Sequence, residues 1–228
     1  HLVNRVLIDK ALTLLAVAGP AQTFIVGAPD SSSDDLGPNA VRCVHAIFEG
    51  TLISGFTLTN GFTAADDWGA DTMGGGAHLG SWNVTLSNCV VAGNAAYSGG
   101  GVYYGYVIDC RILGNRATEE GGGAMYSTHH NCIFISNTAN RGGGTCACDL
   151  YHCTLVGNSA IYSGGGAIWG SLYNSIVFYN NAPQDPNLVT SWGTVTHSCV
   201  TPMPPNADET SVITTEPRFA DTNGWADL

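Results

Sequence analysis

The stretch GGGAMYSTHHNCIFISNTANRGGGTCACDLYHCTLVGNSA, residues 121–160, contains two nearly equivalent segments. The glycine triplet 121–123 is followed by Cys132 and Asn137. The triplet 142–144 is followed by a cysteine and an asparagine at the same spacing. Self-similarity at a fixed period indicates a repeat architecture, so the repeat is the feature that decides the fold.

Three residue types keep the same period along the chain. Glycine triplets begin at Gly74, Gly99, Gly121, Gly142 and Gly164. The periodic cysteines are Cys89, Cys110, Cys132 and Cys153, and Ser175 takes the next position. The periodic asparagines are Asn94, Asn115, Asn137, Asn158 and Asn180. Successive members of the cysteine and asparagine series lie 21 or 22 residues apart.

This period predicts an all-β solenoid. It is too short for a helical-pair repeat, and the leucine-rich frame L-x-x-L-x-L-x-x-N is absent. Short β-rich segments such as VTLSNCVVAGN and HHNCIFISN alternate with glycine and small polar residues, as strands alternate with turns. We therefore expect coils of about 21–22 residues, each stacked in parallel on the next at roughly 4.8 Å.

Stacking gives each periodic residue a physical role. Asparagines in one column predict an amide ladder that pairs the backbone groups of the turns. The glycines allow sharp bends with positive φ. The cysteines predict a column of buried thiols, because in-register neighbours seldom supply the dihedral angle of a disulfide.

One domain with three regions is predicted. Residues 1–73 read as irregular coils that include a long polar loop at 61–73, residues 74–181 as regular coils, and 182–228 as a proline-rich coil and cap. The N-terminal segment lacks a signal-peptide pattern. We therefore expect that a leader has been removed or that the chain belongs to a longer protein, with truncation also expected at the other end.

Composition limits the partners. The 228 residues include 7 Lys and Arg against 18 Asp and Glu, so the net charge is −11. This charge disfavours nucleic acid and anionic membranes as partners, because both need basic surfaces. The chain contains no run of 18 apolar residues, so no membrane span is predicted.

The motifs also carry a family resemblance. GGGA followed by an apolar-x-x-Asn frame, with FISN at 134–137, resembles the GGA(I) and FxxN repeats of polymorphic outer-membrane and autotransporter adhesins. It is also similar to secreted bacterial repeat proteins of the pectin-lyase-like fold. The resemblance covers about residues 50–200 and implies a single-stranded right-handed parallel β-helix on an exported, extracellular or cell-surface bacterial protein. Because that fold carries lyases, hydrolases, adhesins and fibres, function depends on the site.

Aromatic residues are the first candidate site. The position five residues after the first glycine of each triplet holds Leu79, Tyr104, Tyr126, Ala147 and Trp169. With Tyr103, Tyr106 and Trp82 nearby, these rings predict a surface that binds a polysaccharide or another glycan of a host or cell surface. The alternative is that the rings only cover the sheet, as tyrosines commonly do in strands.

Acidic residues are the second candidate. The resemblance to pectate lyases and polygalacturonases directs attention to carboxylates and a basic residue, namely Asp109, Arg111, Asp149, Glu119 and Glu120. If they act together, the protein is a polysaccharide lyase or a glycoside hydrolase, which needs two carboxyl groups about 5–9.5 Å apart. If they are solvated turn residues, the alternative is an adhesin passenger or a structural protein that associates end to end into filaments.

Two metal sites are also considered. Asp66, Asp67 and Asp71 crowd the loop 61–73 and could hold Ca²⁺. Cys146 and Cys148 are expected on one strand face, where His130 from the preceding coil would complete a Zn or Cu site. No other cofactor is implied.

Overall fold

The computed structural model describes residues 2–33, 35–65, 69–189 and 193–219. Within these ranges the chain forms 28 short strands and no helix. The strands are β1 (Val3–Ile8), β2 (Thr13–Leu15), β3 (Phe24–Val26), β4 (Val41–Ala46), β5 (Leu52–Ser54), β6 (Thr57–Thr59), β7 (Ala77–Leu79), β8 (Thr85–Ser87), β9 (Val90–Ala92), β10 (Ala95–Ala96), β11 (Val102–Tyr103), β12 (Tyr106–Ile108), β13 (Arg111–Leu113), β14 (Arg116–Ala117), β15 (Ala124–Met125), β16 (Thr128–His130), β17 (Ile133–Ile135), β18 (Thr138–Arg141), β19 (Thr145–Cys146), β20 (Asp149–Tyr151), β21 (Thr154–Val156), β22 (Ser159–Ser163), β23 (Ala167–Ile168), β24 (Ser171–Tyr173), β25 (Ile176–Phe178), β26 (Leu188–Val189), β27 (Val195–Thr196) and β28 (Cys199–Val200).

The strands stack into three long parallel sheets and one short one. Sheet I contains β1, β4, β7, β11, β15, β19, β23 and β26. Sheet II contains β2, β5, β8, β12, β16, β20, β24 and β27. Sheet III contains β3, β6, β9, β13, β17, β21, β25 and β28, and sheet IV contains β10, β14, β18 and β22. Because each coil adds one strand to each long sheet, the all-β parallel solenoid is confirmed.

Side chains that point inward form apolar columns. In sheet III, for example, Leu58, Val91, Ile112, Phe134 and Leu155 are in register and have no exposed surface. Equivalent columns from sheets I and II complete one continuous core along the solenoid. Burial of apolar surface, at roughly 25 cal/mol per Å², therefore holds successive coils together.

Residues with positive φ mark the corners between sheets. The corners between sheets I and II are Tyr104, Tyr126, Ala147 and Trp169, with φ between 51° and 62°. Those between sheets II and III are Asn88, Asp109, Asn131, His152, Asn174 and His197. At the third glycine of a triplet, a Cβ on Gly123 would lie 2.6 Å from the carbonyl oxygen of Gly144 on the next coil. Glycine is therefore needed there because the backbones pass closely.

The asparagines form a continuous ladder inside the solenoid. From Asn115 onward, the Oδ1 atom of each asparagine accepts hydrogen bonds from the backbone amide and the side-chain Nδ2 of the asparagine one coil earlier, as between Asn115 and Asn137 at 2.9 and 3.0 Å. Gly61 begins the ladder by donating to Asn94, and Asn187 ends it by accepting from Asn180. The sequence period did not identify Asn187, which lies seven residues after Asn180.

The periodic cysteines are buried as free thiols. Cys89, Cys110, Cys132 and Cys153 belong to the continuous core, and all are unpaired. Their sulfur atoms contact backbone carbonyl oxygens, as Cys110 does with Ile108 at 3.1 Å. The thiols therefore act as small apolar side chains with weak local hydrogen bonds.

Candidate functional site

Four aromatic rings meet at the corner between sheets I and II. Tyr104 is central: its ring lies 4.6 Å from that of Tyr103 and 5.3 Å from that of Trp82, both edge to face. Tyr126, one coil later, stacks on Tyr104 at 5.8 Å with an angle of 25°. Trp82 lies in the turn after β7 and is 53% exposed. These four residues are called the aromatic cluster below.

Trp169 lies outside this cluster. It occupies an equivalent corner and is 38% exposed, but Ala147 holds the corner between it and Tyr126. The predicted row is therefore interrupted by one coil without a ring. Ala147 leaves a gap because a methyl group cannot extend the ring surface.

A cavity of about 260 Å³ adjoins the cluster. It is lined by Gly69, Ala70, Met73, His78, Tyr103 and Tyr104. The first three residues belong to the segment predicted as a long loop at 61–73, and they form one wall of the cavity. Tyr103 and Tyr104 of the aromatic cluster form the other wall. The volume is below the roughly 300–1,000 Å³ of sites for drug-sized ligands, so it suits one unit of a larger ligand.

Arg42 anchors the loop from below. Its guanidinium is fully buried and donates to the carbonyl oxygens of Ala70, Met73 and Gly74, and to Oδ1 of Asn4 at 2.8 Å. Burial lowers the pKa of Arg42 to about 10, against an opposing effect of Asp71, so the group stays cationic at neutral pH. The hydrogen bonds that it donates go to backbone carbonyl oxygens and to Asn4.

Two histidines extend from the cavity along the outer face of sheet I. The rings of His45 and His78 lie 4.6 Å apart, and His78 is 5.3 Å from Tyr103. Burial, with Arg42 nearby, lowers the pKa of His45 to about 4 and that of His78 to about 3. Both rings are therefore neutral at pH 7. Nδ1 of His78 has no hydrogen-bond partner among the described residues.

The predicted catalytic residues lie on separate elements. Asp109 occupies a corner between sheets II and III, where Asn131 donates to it at 3.2 Å. Arg111 lies on sheet III and Asp149 on sheet II. Glu119 and Glu120 follow β14, outside the three long sheets. The structure therefore does not bring these five residues to one place.

The two glutamates have structural partners. Glu119 accepts from Nδ2 of Asn140 at 3.3 Å. Glu120 lies 3.9 Å from Arg141 and accepts from Sγ of Cys146 at 3.7 Å. These contacts link Glu119 and Glu120 to strands β18 and β19 of the next coil, so both carboxylates have structural partners.

The Cys146, Cys148 and His130 hypothesis fails on geometry. Positive φ at Ala147 bends the chain, so Cys148 enters the main core while Cys146 packs with Met125 and Ile168 in a separate cluster. The expectation of a shared strand face is therefore wrong. Within the described ranges, no group of three His, Cys, Asp or Glu side chains is arranged to hold a metal. Of the Ca²⁺ candidates, Asp66 and Asp67 lie outside the described residues.

His130 instead joins a ring stack that the repeat analysis missed. Its ring lies 4.5 Å from that of Tyr151 at an angle of 5°, and Tyr151 lies 4.7 Å from Tyr173 at 10°. Tyr106 contacts the first ring at 5.0 Å. Parallel rings at these separations cover each other's faces, so this stack mainly stabilises the outer surface of sheet II.

A polar cluster is sealed inside the core. His129 is fully buried in a column where the neighbouring coils carry Val107 and Leu150. Its Nε2 lies 2.8 Å from Oγ of Ser127, which lies 3.5 Å from Sγ of Cys148. The other ring nitrogen, Nδ1, has no partner in the described part of the chain. Access from solvent is closed, so these residues are not a surface site.

Comparisons with known proteins add no family. No family model matches the chain, and no curated protein or solved structure is significantly similar to it. Among the described residues, no helix has the length and apolar character needed to cross a membrane. The assignment of function therefore depends on the geometry of the aromatic cluster and its cavity.

Proposed function

We propose that this chain is a right-handed parallel β-helix of an exported bacterial protein that binds an extracellular polysaccharide. The aromatic cluster carries the proposal. Tyr103, Tyr104, Tyr126 and Trp82 form a contiguous ring surface on three coils. Sugar rings present apolar C–H faces to such surfaces, and aromatic side chains bring large contact areas with few rotatable bonds.

The cavity and the loop support the same proposal. A linear polymer lying along the cluster would follow the solenoid axis, because successive corners are stacked by the coils. The cavity would receive one unit of that polymer, since a ligand site needs a concave part with a few polar groups. His78 is the polar group at that position.

Binding is a better proposal than cleavage. A glycosidase needs two carboxyl groups about 5–9.5 Å apart on either side of the scissile bond. The candidate acids lie on separate sheets and turns, and Glu120 is occupied by Arg141 and Cys146. A lyase or hydrolase site made of Asp109, Arg111 and Asp149 would need side chains from different faces of the solenoid.

Affinity electrophoresis through gels that contain plant, algal or host polysaccharides tests the proposal. Retarded migration of the wild-type protein supports it, and Tyr104→Asn should migrate without retardation. Asparagine tolerates the positive φ of this corner, so the backbone is preserved. His152→Asn is the matched control, because His152 has φ 55° at a different corner. Reducing ends and unsaturated-sugar absorbance, measured on the same panel, report any cleavage.

A structural role is the second candidate, and the first coil favours it. Val3, Leu7, Leu15, Phe24 and Val26 are large apolar side chains that are 44–59% exposed. Their strands β1, β2 and β3 are the first in each long sheet, and an exposed apolar sheet edge is a template for pairing with another chain. Light scattering across a concentration series tests association of copies through this edge, with Leu7→Lys as the variant that should abolish it.

A further inference from the structure

The charge and polarity around the cavity at the aromatic cluster narrow the class of ligand. Its lining combines the rings of Tyr103 and Tyr104 with the neutral imidazole of His78 and three loop residues. The guanidinium of Arg42 lies beneath the loop, and its donors are all directed at protein oxygen atoms. The lining therefore offers rings and one neutral polar group.

Carboxylates lie on two sides of this surface. Glu49 accepts from Oγ of Ser81, next to Trp82, at 3.1 Å. At the other side of the cluster, burial raises the pKa of the Tyr126 hydroxyl, and the Glu120 carboxylate adds to that shift. With a net charge of −11 for the whole chain, the local and long-range fields repel polyanions.

His78 is the polar group with capacity for a new partner. It is 7% exposed and its Nδ1 is unpaired among the described residues. A buried polar atom without a partner destabilises the protein, and a hydroxyl group of a ligand would supply the missing hydrogen bond. A half-turn about the Cβ–Cγ bond exchanges the two edges of the imidazole while its plane stays between His45 and Tyr103. This side-chain rotation can direct Nδ1 into the cavity that His78 lines.

We propose that the cavity takes one ring of a neutral polysaccharide, packed on Tyr103 and Tyr104 with a hydroxyl group hydrogen-bonded to His78. This inference depends on the proposed polysaccharide binding and adds the class of ligand and a specificity residue. Polyuronates and sulfated glycans are excluded as preferred ligands, because no free cation in the described site balances their charge.

The test compares neutral glucans, mannans and xylans with polygalacturonate and alginate in affinity gels and by titration calorimetry. We expect the wild-type protein to bind a neutral polymer, with an affinity that is unchanged between about 0.05 and 0.5 M NaCl, because salt screens charge–charge contacts and not ring packing. His78→Phe keeps the ring packing and removes the hydrogen bond, so it should weaken binding about tenfold. His130→Phe is the matched control and should bind like the wild type.

Each outcome decides a different point. Stronger binding of a polyuronate than of any neutral polymer overturns the neutral-ligand inference while polysaccharide binding stands. Unchanged affinity of His78→Phe for the neutral polymer removes the assigned role of His78. Failure of the wild-type protein to bind any polymer overturns the proposed function itself.

Discussion

Replacing Asn137 by leucine isolates the contribution of one rung of the asparagine ladder. Asn137 is fully buried, and its Oδ1 accepts from the backbone amide and Nδ2 of Asn115. Its own Nδ2 donates to the carbonyl oxygen of Ile112 and to Asn158, both at 2.9 Å. Leucine has a similar size but can make none of these bonds, so the variant removes hydrogen bonding with little change in volume.

The expected loss follows from the groups that are left unpaired. The amide of Asn115 loses its acceptor, which costs about 1–3 kcal/mol for a buried group. The carbonyl oxygen of Ile112 also loses a donor, so the total should reach about 2–4 kcal/mol. For a chain of this size, 1 kcal/mol lowers Tm by roughly 2–4 °C, so we expect a decrease of roughly 5–15 °C.

Thermal and urea unfolding followed by circular dichroism measure this loss. Asn181→Leu is the control, because Asn181 is exposed and its amide lies 3.5 Å from Oγ of Ser159. The control should change the free energy of unfolding by less than about 0.5 kcal/mol, as surface substitutions usually do. An Asn137→Leu variant as stable as the control would refute the view that the ladder pairs otherwise orphaned backbone groups.

Three further predictions concern titration, the core and thiol access. The free energy of unfolding should fall as the pH drops below about 6.5, because His78 binds a proton in the unfolded chain but not in the folded one, where its pKa is lowered to about 3. At 1.4 kcal/mol per pH unit, the loss is about 2 kcal/mol at pH 5, and unfolding of His78→Phe should show a flatter pH profile. The double variant Ser127→Gly, His129→Leu should gain about 1–3 kcal/mol because it removes an unpaired buried nitrogen; a less stable variant in urea would contradict this. In the native protein, mass spectrometry after brief alkylation should find label on Cys199, the one partly exposed cysteine of the eight, and protection of the others; rapid labelling of Cys110 would count against the buried column.

The period of the chain was enough to predict the stacked coils and the residues of the ladder. In-register stacking repeats one environment at every coil, so the asparagines and cysteines record it directly in the sequence. The place of Asn187 in the ladder could not be predicted, because it lies only seven residues after Asn180 and so does not follow the period. The ladder there continues in space through a shorter segment of chain.

The site was only partly predictable. The position shared by Tyr104 and Tyr126 predicts the aromatic cluster. His78 and Tyr103 share the position one residue earlier in consecutive coils, and that equivalence is the sequence signal for His78. The prediction that Cys146 and Cys148 share a strand face was wrong because Ala147 forms a corner between them. Side chains alternate between faces only where the backbone stays extended.

The close passage of glycine backbones makes each coil an interchangeable unit. Gly123 and Gly144 occupy the same position on consecutive turns of the chain. Removal of a whole turn, such as residues 121–141, would bring equivalent partners together again and shorten the molecule by roughly 4.8 Å. The distance between surface features on opposite sides of the excised coil would therefore change by one coil spacing. The length of an extended ligand that the protein can contact would change in the same fixed steps.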